Sequence, residues 1–510
     1  MFAAAMKTIN NVTTWNGAKS YATPVPKVCK EDEPDEKQKM EQLLCLFYKS
    51  NRNADASTLK NWFRKVPKEK IEELVVLSFH VRDCRGGKGE RHNGRLLFSY
   101  LAVEYPDTFS KVLHLIPDYG RYDDLLYLLT AGIPREAEIL ILEIIKKQTL
   151  EDFDKMNEGK TVSLLSKWMP TEGDSMDKKY NLVEKICSFM DIKKSTYRKK
   201  YISPLRSYLK VVETLMCSGR WDEIDFNTVP SCAMNKLKAA FERNVPESYN
   251  KWKEGLESGE TKVNARQLYP YEIIRNISEN LWIKDELAVA QWKVLEADAK
   301  KLGKLNKTVV VADVSTSMNM NNCLPLHNSI ALGLIISNAV EGDFHNLVIS
   351  FSTEPAFFEI PDGDIYDKYN YIKDIAWGGT TNLLEVFKLI LNKCKDCELP
   401  PEEAPEKVII VSDMQFDKAD RNMTNLEAIV KMYEEEENKK YKRPELVFWN
   451  VAGETDDFPA TTRHDGTCLV SGFSPAILES LTSGEKIDSL HIMRNALNNK
   501  RYNPIRECLK

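Results

Sequence analysis

Val309-Val310-Val311-Ala312-Asp313-Val314-Ser315-Thr316-Ser317 is an apolar run leading straight into an Asp-x-Ser-x-Ser cluster. A short β-branched run of this kind reads as a buried central strand. The cluster then falls at the strand's C-terminal end, where open α/β sheets place their ligands. It offers a carboxylate and two hydroxyls, with no thiolate or imidazole. All-oxygen donors suit a hard divalent cation, foremost Mg²⁺. The same residues also suit a polar turn whose Ser and Thr cap a helix, and the stretch alone leaves both readings open.

The sequence after it alternates. Ile330–Ala339 reads as an apolar helix and Leu347–Phe351 as a strand. Gly378-Gly379-Thr380-Thr381-Asn382 is a tight loop feeding a helix over Leu383–Leu391. Val408–Val411 is a strand ending in Ser412-Asp413, and Leu446–Val451 is another. Strands alternating with helices predict an α/β, doubly wound, mostly parallel sheet. The loop threonine and Asp413 are expected on the same edge as Asp313.

These residues resemble the metal-ion-dependent adhesion site of von Willebrand factor A domains. That family's pattern is Asp-x-Ser-x-Ser, a Thr after a Gly-rich turn, and an Asp at a later strand end. Asp313, Ser315, Ser317, then Thr381 or Thr380, then Asp413 follow it in order. Thr381 is favoured, because Thr-Asn opening a helix is the commoner pattern. The resemblance implies that Ser315, Ser317 and the Thr touch the metal directly. It implies that Asp313 and Asp413 act through water and hydrogen bonds. An open coordination position would capture an acidic group from a protein partner, and such sites are rarely catalytic.

The chain has 510 residues, too many for one core. Its 43% hydrophobic and 29% charged composition is ordinary for a globular protein. A net charge of -5 gives no global attraction to nucleic acid, so any such binding needs a local patch. No apolar stretch is long enough to span a bilayer, and no membrane association is expected. The 11 cysteines are scattered and odd in number, which points to reduced thiols in the cytoplasm or nucleus. The sequon Asn11-Val12-Thr13 means little without a secretory signal.

Three regions are expected: a flexible N-terminal arm over 1–39, a helical domain over 40–303, and an α/β domain over 304–510. Apolar residues recur at helical spacing in Ile71–Val81 and at Ala137, Leu140, Ile141, Ile144 and Ile145. Further helices fit Leu96–Val103, Asp124–Leu129, Pro204–Met216, Met234–Phe241, Pro270–Glu279 and Asp285–Ala297. The basic stretch 300–307 is the expected boundary. No strict period appears, but stacked degenerate helix pairs forming an arc or ring fit the pattern.

Three motifs stand out in the helical part. In the run from Arg82 to Arg91, glycines sit beside Arg82, Arg85, Lys88 and Arg91. Such a loop can hold phosphate, or can be an interhelical turn with paired charges. It is not a nucleotide-binding loop, since the Gly-Lys-Ser/Thr spacing is missing. The turn Pro117–Asp124 reads as a helix cap through Asp123 or Asp124. The run Lys193–Tyr201 has no acidic residue. It offers Lys194, Arg198, Lys199 and Lys200 for phosphate, with Tyr197 and Tyr201 for base stacking, or else it is a solvated helix face.

The first two motifs, with Ser166-Lys167-Trp168-Met169-Pro170 and Val229-Pro230-Ser231, resemble an uncharacterised family over roughly Met40 to Ser483. Its members join a helical TROVE-like region to a von Willebrand factor A domain. The architecture is more distantly similar to the Ro ribonucleoprotein autoantigen. That resemblance implies HEAT-like helical repeats that bind small structured RNAs and the ends of misfolded RNAs. Cys394-Lys395-Asp396-Cys397 lacks the second pair that zinc needs, and no nucleophile–base pair is apparent. The reading is therefore a non-enzymatic RNA-binding or ribonucleoprotein scaffold with a Mg²⁺ adhesion site. The alternative is a protein–protein adaptor without RNA binding.

Overall fold

The computed structural model describes residues 11–14, 16–24, 40–258, 260–261, 263–265, 268–301, 305–351, 354–374, 381–418, 423–436, 439–453, 458–461, 464–473, 478–481 and 488–510. They fall into two compact units whose segments interleave. One takes Met1–Leu74, Gly86–Glu90 and Leu268–Asn499; the other takes Val75–Arg85, Arg91–Gln267 and Lys500–Lys510.

The first unit is built on a six-stranded sheet. Its strands are β4 (Thr308–Ala312), β6 (Leu347–Ser350), β7 (Ala356–Glu359), β8 (Lys407–Ser412), β9 (Glu445–Asn450) and β10 (Thr467–Ser471). Their order is β10-β9-β8-β4-β6-β7. All pairings are parallel except that of β7, an antiparallel edge strand on β6. Every residue of β4 is buried, as its continuous apolar run requires of a strand covered on both faces. On one face Val309, Val311, Val408, Ile410, Leu446 and Phe448 pack with residues of the helices Leu383–Asp396 and Asn425–Glu434. On the other, the apolar helix within Met320–Ala339 comes so close that a Cβ on Gly333 would lie 3.1 Å from that of Ala312.

Two smaller pairs complete the strands: β1 (Asn11–Thr13) antiparallel to β2 (Lys19–Tyr21), and β3 (Leu305–Asn306) parallel to β5 (Val340–Glu341). The hairpin β1–β2 departs from the free arm expected over 1–39. Gly17 bridges Asp417, Lys19 bridges Thr424, and Tyr21 bridges Phe458. Tyr21 is buried in the core with Cys45 and Tyr48 of the helix Glu41–Lys49. Residues 41–74 and 268–301 thus belong to the compact sheet unit, a division that departs from the expected boundary near 303.

The second unit is helical. The helix Arg135–Asn157, opened by Pro134, packs on Leu165–Trp168, Leu182–Met190 and Ser203–Tyr208. The single helix expected over 204–216 is two, Ser203–Tyr208 and Val212–Cys217, separated by Lys210 at φ 49°. Lys500–Lys510 joins this unit: Tyr502 is fully buried and donates to Asp83 Oδ2 at 3.2 Å. No helix among the described residues is long and apolar enough to cross a membrane, and their ten cysteines are all free.

Candidate functional site

From β4 the chain goes to β6 and β7 on one side of the sheet, then returns to β8, β9 and β10 on the other. The order therefore reverses between β4 and β8, and the crevice beyond their C-terminal ends is the ligand position of an open α/β sheet. Asp313 leaves β4 and Asp413 leaves β8. Asp313 N–H donates to Val411 O at 3.0 Å, continuing the β4–β8 ladder to the crevice.

Both carboxylates are fully buried. Asp313 accepts the Ser315 amide at 2.9 Å and the Ser412 hydroxyl at 2.5 Å. Asp413 accepts the Gln415 amide at 3.0 Å. Burial and then the negative charge of Asp413 push the Asp313 carboxyl well above its ordinary range. The Ser315 and Ser317 hydroxyls lie 3.0 Å apart. Ser315 precedes a short helical turn, Thr316–Asn319, yet its side chain makes no capping hydrogen bond. The next helix is delayed by left-handed backbone at Asn321, Asn322 and Cys323. The capping alternative is thus not how Ser315 is used.

Thr381 is buried just before Asn382, whose side chain accepts the Glu385 amide and caps the helix Leu383–Asp396. Its N–H donates to Asp417 Oδ2 at 2.6 Å, and Asp417 N–H donates back to Thr381 O at 2.9 Å. Gly378, Gly379 and Thr380 lie outside the described residues. Asp417 was not legible as a site residue; its only signal was its place four residues after Asp413. The hairpin reaches the same loop. Thr14 Oγ1 donates to Phe416 O at 3.2 Å and Asn16 Nδ2 donates to Gln415 O at 2.7 Å.

Two buried carboxylates within mutual repulsion, beside the paired hydroxyls of Ser315 and Ser317, offer the oxygens a hard divalent cation takes, since burying like charges together is costly without a counter-charge. Among the described residues no group of three or more His, Cys, Asp or Glu converges. Any cation here would depend on the serine and threonine oxygens.

The residues expected to contact RNA do not form one basic face. Arg82 is 2% exposed, and its Nε donates to Asp124 Oδ2 at 2.8 Å. Lys88 is fully buried in the sheet unit. It donates to Phe47 O, to Ser50 O at 3.3 Å and to Ser471 Oγ at 2.7 Å, capping the C-terminal end of the helix Glu41–Lys49. Burial lowers the Lys88 ammonium to about 7. Arg85 is exposed and donates to Asp118 O at 2.6 Å. Arg91, half exposed, pairs with Asp123, and Lys194 pairs with Glu184 at 2.9 Å.

Arg198, Lys199 and Lys200 are exposed as expected. Tyr197 and Tyr201 are not available for stacking: both are buried in a π-helical turn, Tyr197–Ile202. The Tyr197 hydroxyl donates to Pro170 O at 2.8 Å, and Tyr201 packs edge-on against Phe153.

The helical unit instead holds an arginine–aspartate network. Arg82 and Arg95 both donate to Asp124, Arg95 and Arg91 both meet Asp123, and Asp124 also accepts the Arg121 amide at 2.9 Å. A Cβ on Gly94 would collide with Arg82, and one on Gly120 with Asp124, so both glycines are required by close approach.

The model of a family described as Domain of unknown function (DUF7788) matches residues 307–505, and that of Domain of unknown function (DUF2828) matches residues 137–305. The chain is 27% identical over 492 residues to "Uncharacterized protein L728" of Acanthamoeba polyphaga mimivirus, covering 90% of this chain and 85% of that protein. A solved structure, "Crystal structure of Deinococcus radiodurans RO (RSR) protein", is similar at 13% identity and a TM-score of 0.44, over 84% of this chain and 92% of that one. A likeness of that size carries no argument about what this chain binds.

Proposed function

We propose that the sheet unit binds Mg²⁺ or another divalent cation and uses it to capture an acidic group of a protein partner. Ser315, Ser317 and Thr381 would supply direct oxygens, with Asp313 and Asp413 acting through water and hydrogen bonds. The observation that carries this reading is the burial of Asp313 and Asp413 just beyond the ends of the paired strands β4 and β8, where the strand order reverses. The role is binding, not catalysis: a cation with an open position holds a carboxylate without breaking a bond. The family resemblance to von Willebrand factor A domains supports the same reading. Calorimetric titration with Mg²⁺ tests it. Binding is expected in the wild type and is expected to vanish in Asp313→Ala and in the gentler Ser317→Ala. Equal affinity in all three would remove the site.

The helical unit is proposed to bind RNA, making the chain a ribonucleoprotein scaffold. Exposed Arg198, Lys199 and Lys200 support this, as does the TROVE-like resemblance. Filter binding at two salt concentrations tests it, since phosphate contacts weaken steeply with salt. A second reading, a protein adaptor without RNA, is favoured by Trp282 and Ile283, which are 97% and 74% exposed. Absence of RNA affinity at low salt would leave that reading in place.

A further inference from the structure

The arginine–aspartate network of the helical unit is not charge-balanced. Arg82, Arg91 and Arg95 meet the carboxylates of Asp123 and Asp124. Arg121 adds a fourth guanidinium, which lies over the indole of Trp168, 5.3 Å from the ring centroid, rather than on a carboxylate. Lys167 sits 6.0 Å from the same ring. The innermost member is sealed: the Arg82 side chain is 2% exposed and Asp124 fully buried. The outer members face water. The Arg91 side chain is 52% exposed, and Arg121 and Trp168 are partly exposed. Burial and the neighbouring Arg95 and Arg121 charges lower the Arg91 guanidinium, while Asp123 and Asp124 raise it. Arg91 pairs with Asp123, and the Arg121 amide donates to the next residue, Asp124, so both arginines stand beside the same pair of carboxylates.

A guanidinium has five donors in a planar fork suited to phosphate, and Arg91 spends only part of its fork on Asp123. An indole under a guanidinium is a flat, cation-backed platform on which a base can stack. We propose that Arg91, Arg121 and Trp168 form a nucleotide subsite for single-stranded RNA. The two guanidiniums would hold a backbone phosphate while Trp168 takes a base. This inference rests on the RNA reading and moves its centre away from Lys193–Tyr201, whose tyrosines face inward. A phosphorylated protein would use the arginines but has no need of the indole, so the aromatic platform favours RNA.

The test is fluorescence anisotropy of a labelled oligouridylate with the full chain across a salt series. Trp168→Ala is expected to weaken binding about ten-fold, within the range for one stacked base, without changing the salt slope. Arg91→Gln with Arg121→Gln is expected to weaken it similarly and to reduce the log–log slope by about 0.7 per lost phosphate contact. A purely structural role would not separate the two variants in this way. Three results are adverse. Failure of the wild type to bind overturns the RNA reading itself. Binding that persists in all variants but falls in Arg198→Glu with Lys199→Glu and Lys200→Glu keeps RNA and overturns this subsite. Loss in the arginine variant with none in Trp168→Ala makes the patch a plain anion site, and overturns the nucleotide assignment.

Discussion

Arg82 ends an apolar helix and has no room for water, so its charge depends on Asp124. Removing one partner of a buried pair leaves an uncompensated ion, which costs about 3–5 kcal/mol. Asp124→Ala strands Arg82 while Arg95 keeps Asp123, so it is expected to lower the urea unfolding free energy by that amount. A change below ~1 kcal/mol would show the network to be solvated. His327 gives a pH signature. Burial and then the nearby Arg275 charge lower its imidazole to about 4, and its Nε2 lies 3.1 Å from Ser278 Oγ. The unfolded chain takes up that proton near pH 6.5 and the folded chain only near 4. Stability contributed by the neutral ring is therefore complete above that upper value and is lost as pH falls through the window. The loss is at most about 3 kcal/mol. His327→Gln should flatten that part of the stability–pH curve; an unchanged slope would refute the assignment. At this scale the places of Asp313 and Asp413 just beyond β4 and β8 were legible, because each follows a buried apolar run. The inward turn of Tyr197 and Tyr201 also left a trace. Their four-residue spacing puts both on one helical face, which is as much a core signature as a stacking one.

Between elements, the loop after β8 is the joint of the candidate site. It carries Asp413, is tied to Thr381 by Asp417, and is clasped by the hairpin β1–β2 through Thr14 and Asn16. Under the cation proposal, a loop held from both sides would have its oxygens positioned in advance. Asp417→Asn keeps the shape but weakens the charge-assisted bond to the Thr381 amide. It is expected to reduce Mg²⁺ affinity about ten-fold, while the melting temperature without metal shifts little, since weakening one part-buried hydrogen bond costs only ~1 kcal/mol. Unchanged affinity would show that Thr381 is placed without Asp417.

Strands β4, β6, β8 and β9 were readable because each is an apolar run bounded by polar residues. β7 was not, as a short edge strand with partly exposed positions. β10 was not, because its apolar run is only Cys468, Leu469 and Val470 inside a polar stretch. The order reversal between β4 and β8 is invisible in sequence, since it depends on which strands pair. The break at Lys210 likewise carries no glycine or proline to announce it.

For the whole chain, the compact units interleave because burial, not order along the sequence, decides membership. The helix Glu41–Lys49 gives Cys45 and Tyr48 to the sheet core, and Tyr502 returns to the helical unit beside His80 and Asp83. The helical and α/β character of the two parts was legible from periodicity; this exchange of segments was not, because an amphipathic helix does not state which core it covers. A net charge of -5 spread over 510 residues requires that RNA affinity, if present, be local and salt-sensitive. The proposed cation site is tested most directly by anomalous diffraction from crystals grown with Mn²⁺ in place of Mg²⁺. One peak is expected in the crevice beyond β4 and β8, at about 2.0–2.2 Å from the Ser315, Ser317 and Thr381 hydroxyl oxygens, with Asp313 and Asp413 in its water shell. No peak there at saturating Mn²⁺, or a peak only elsewhere on the molecule, would contradict it.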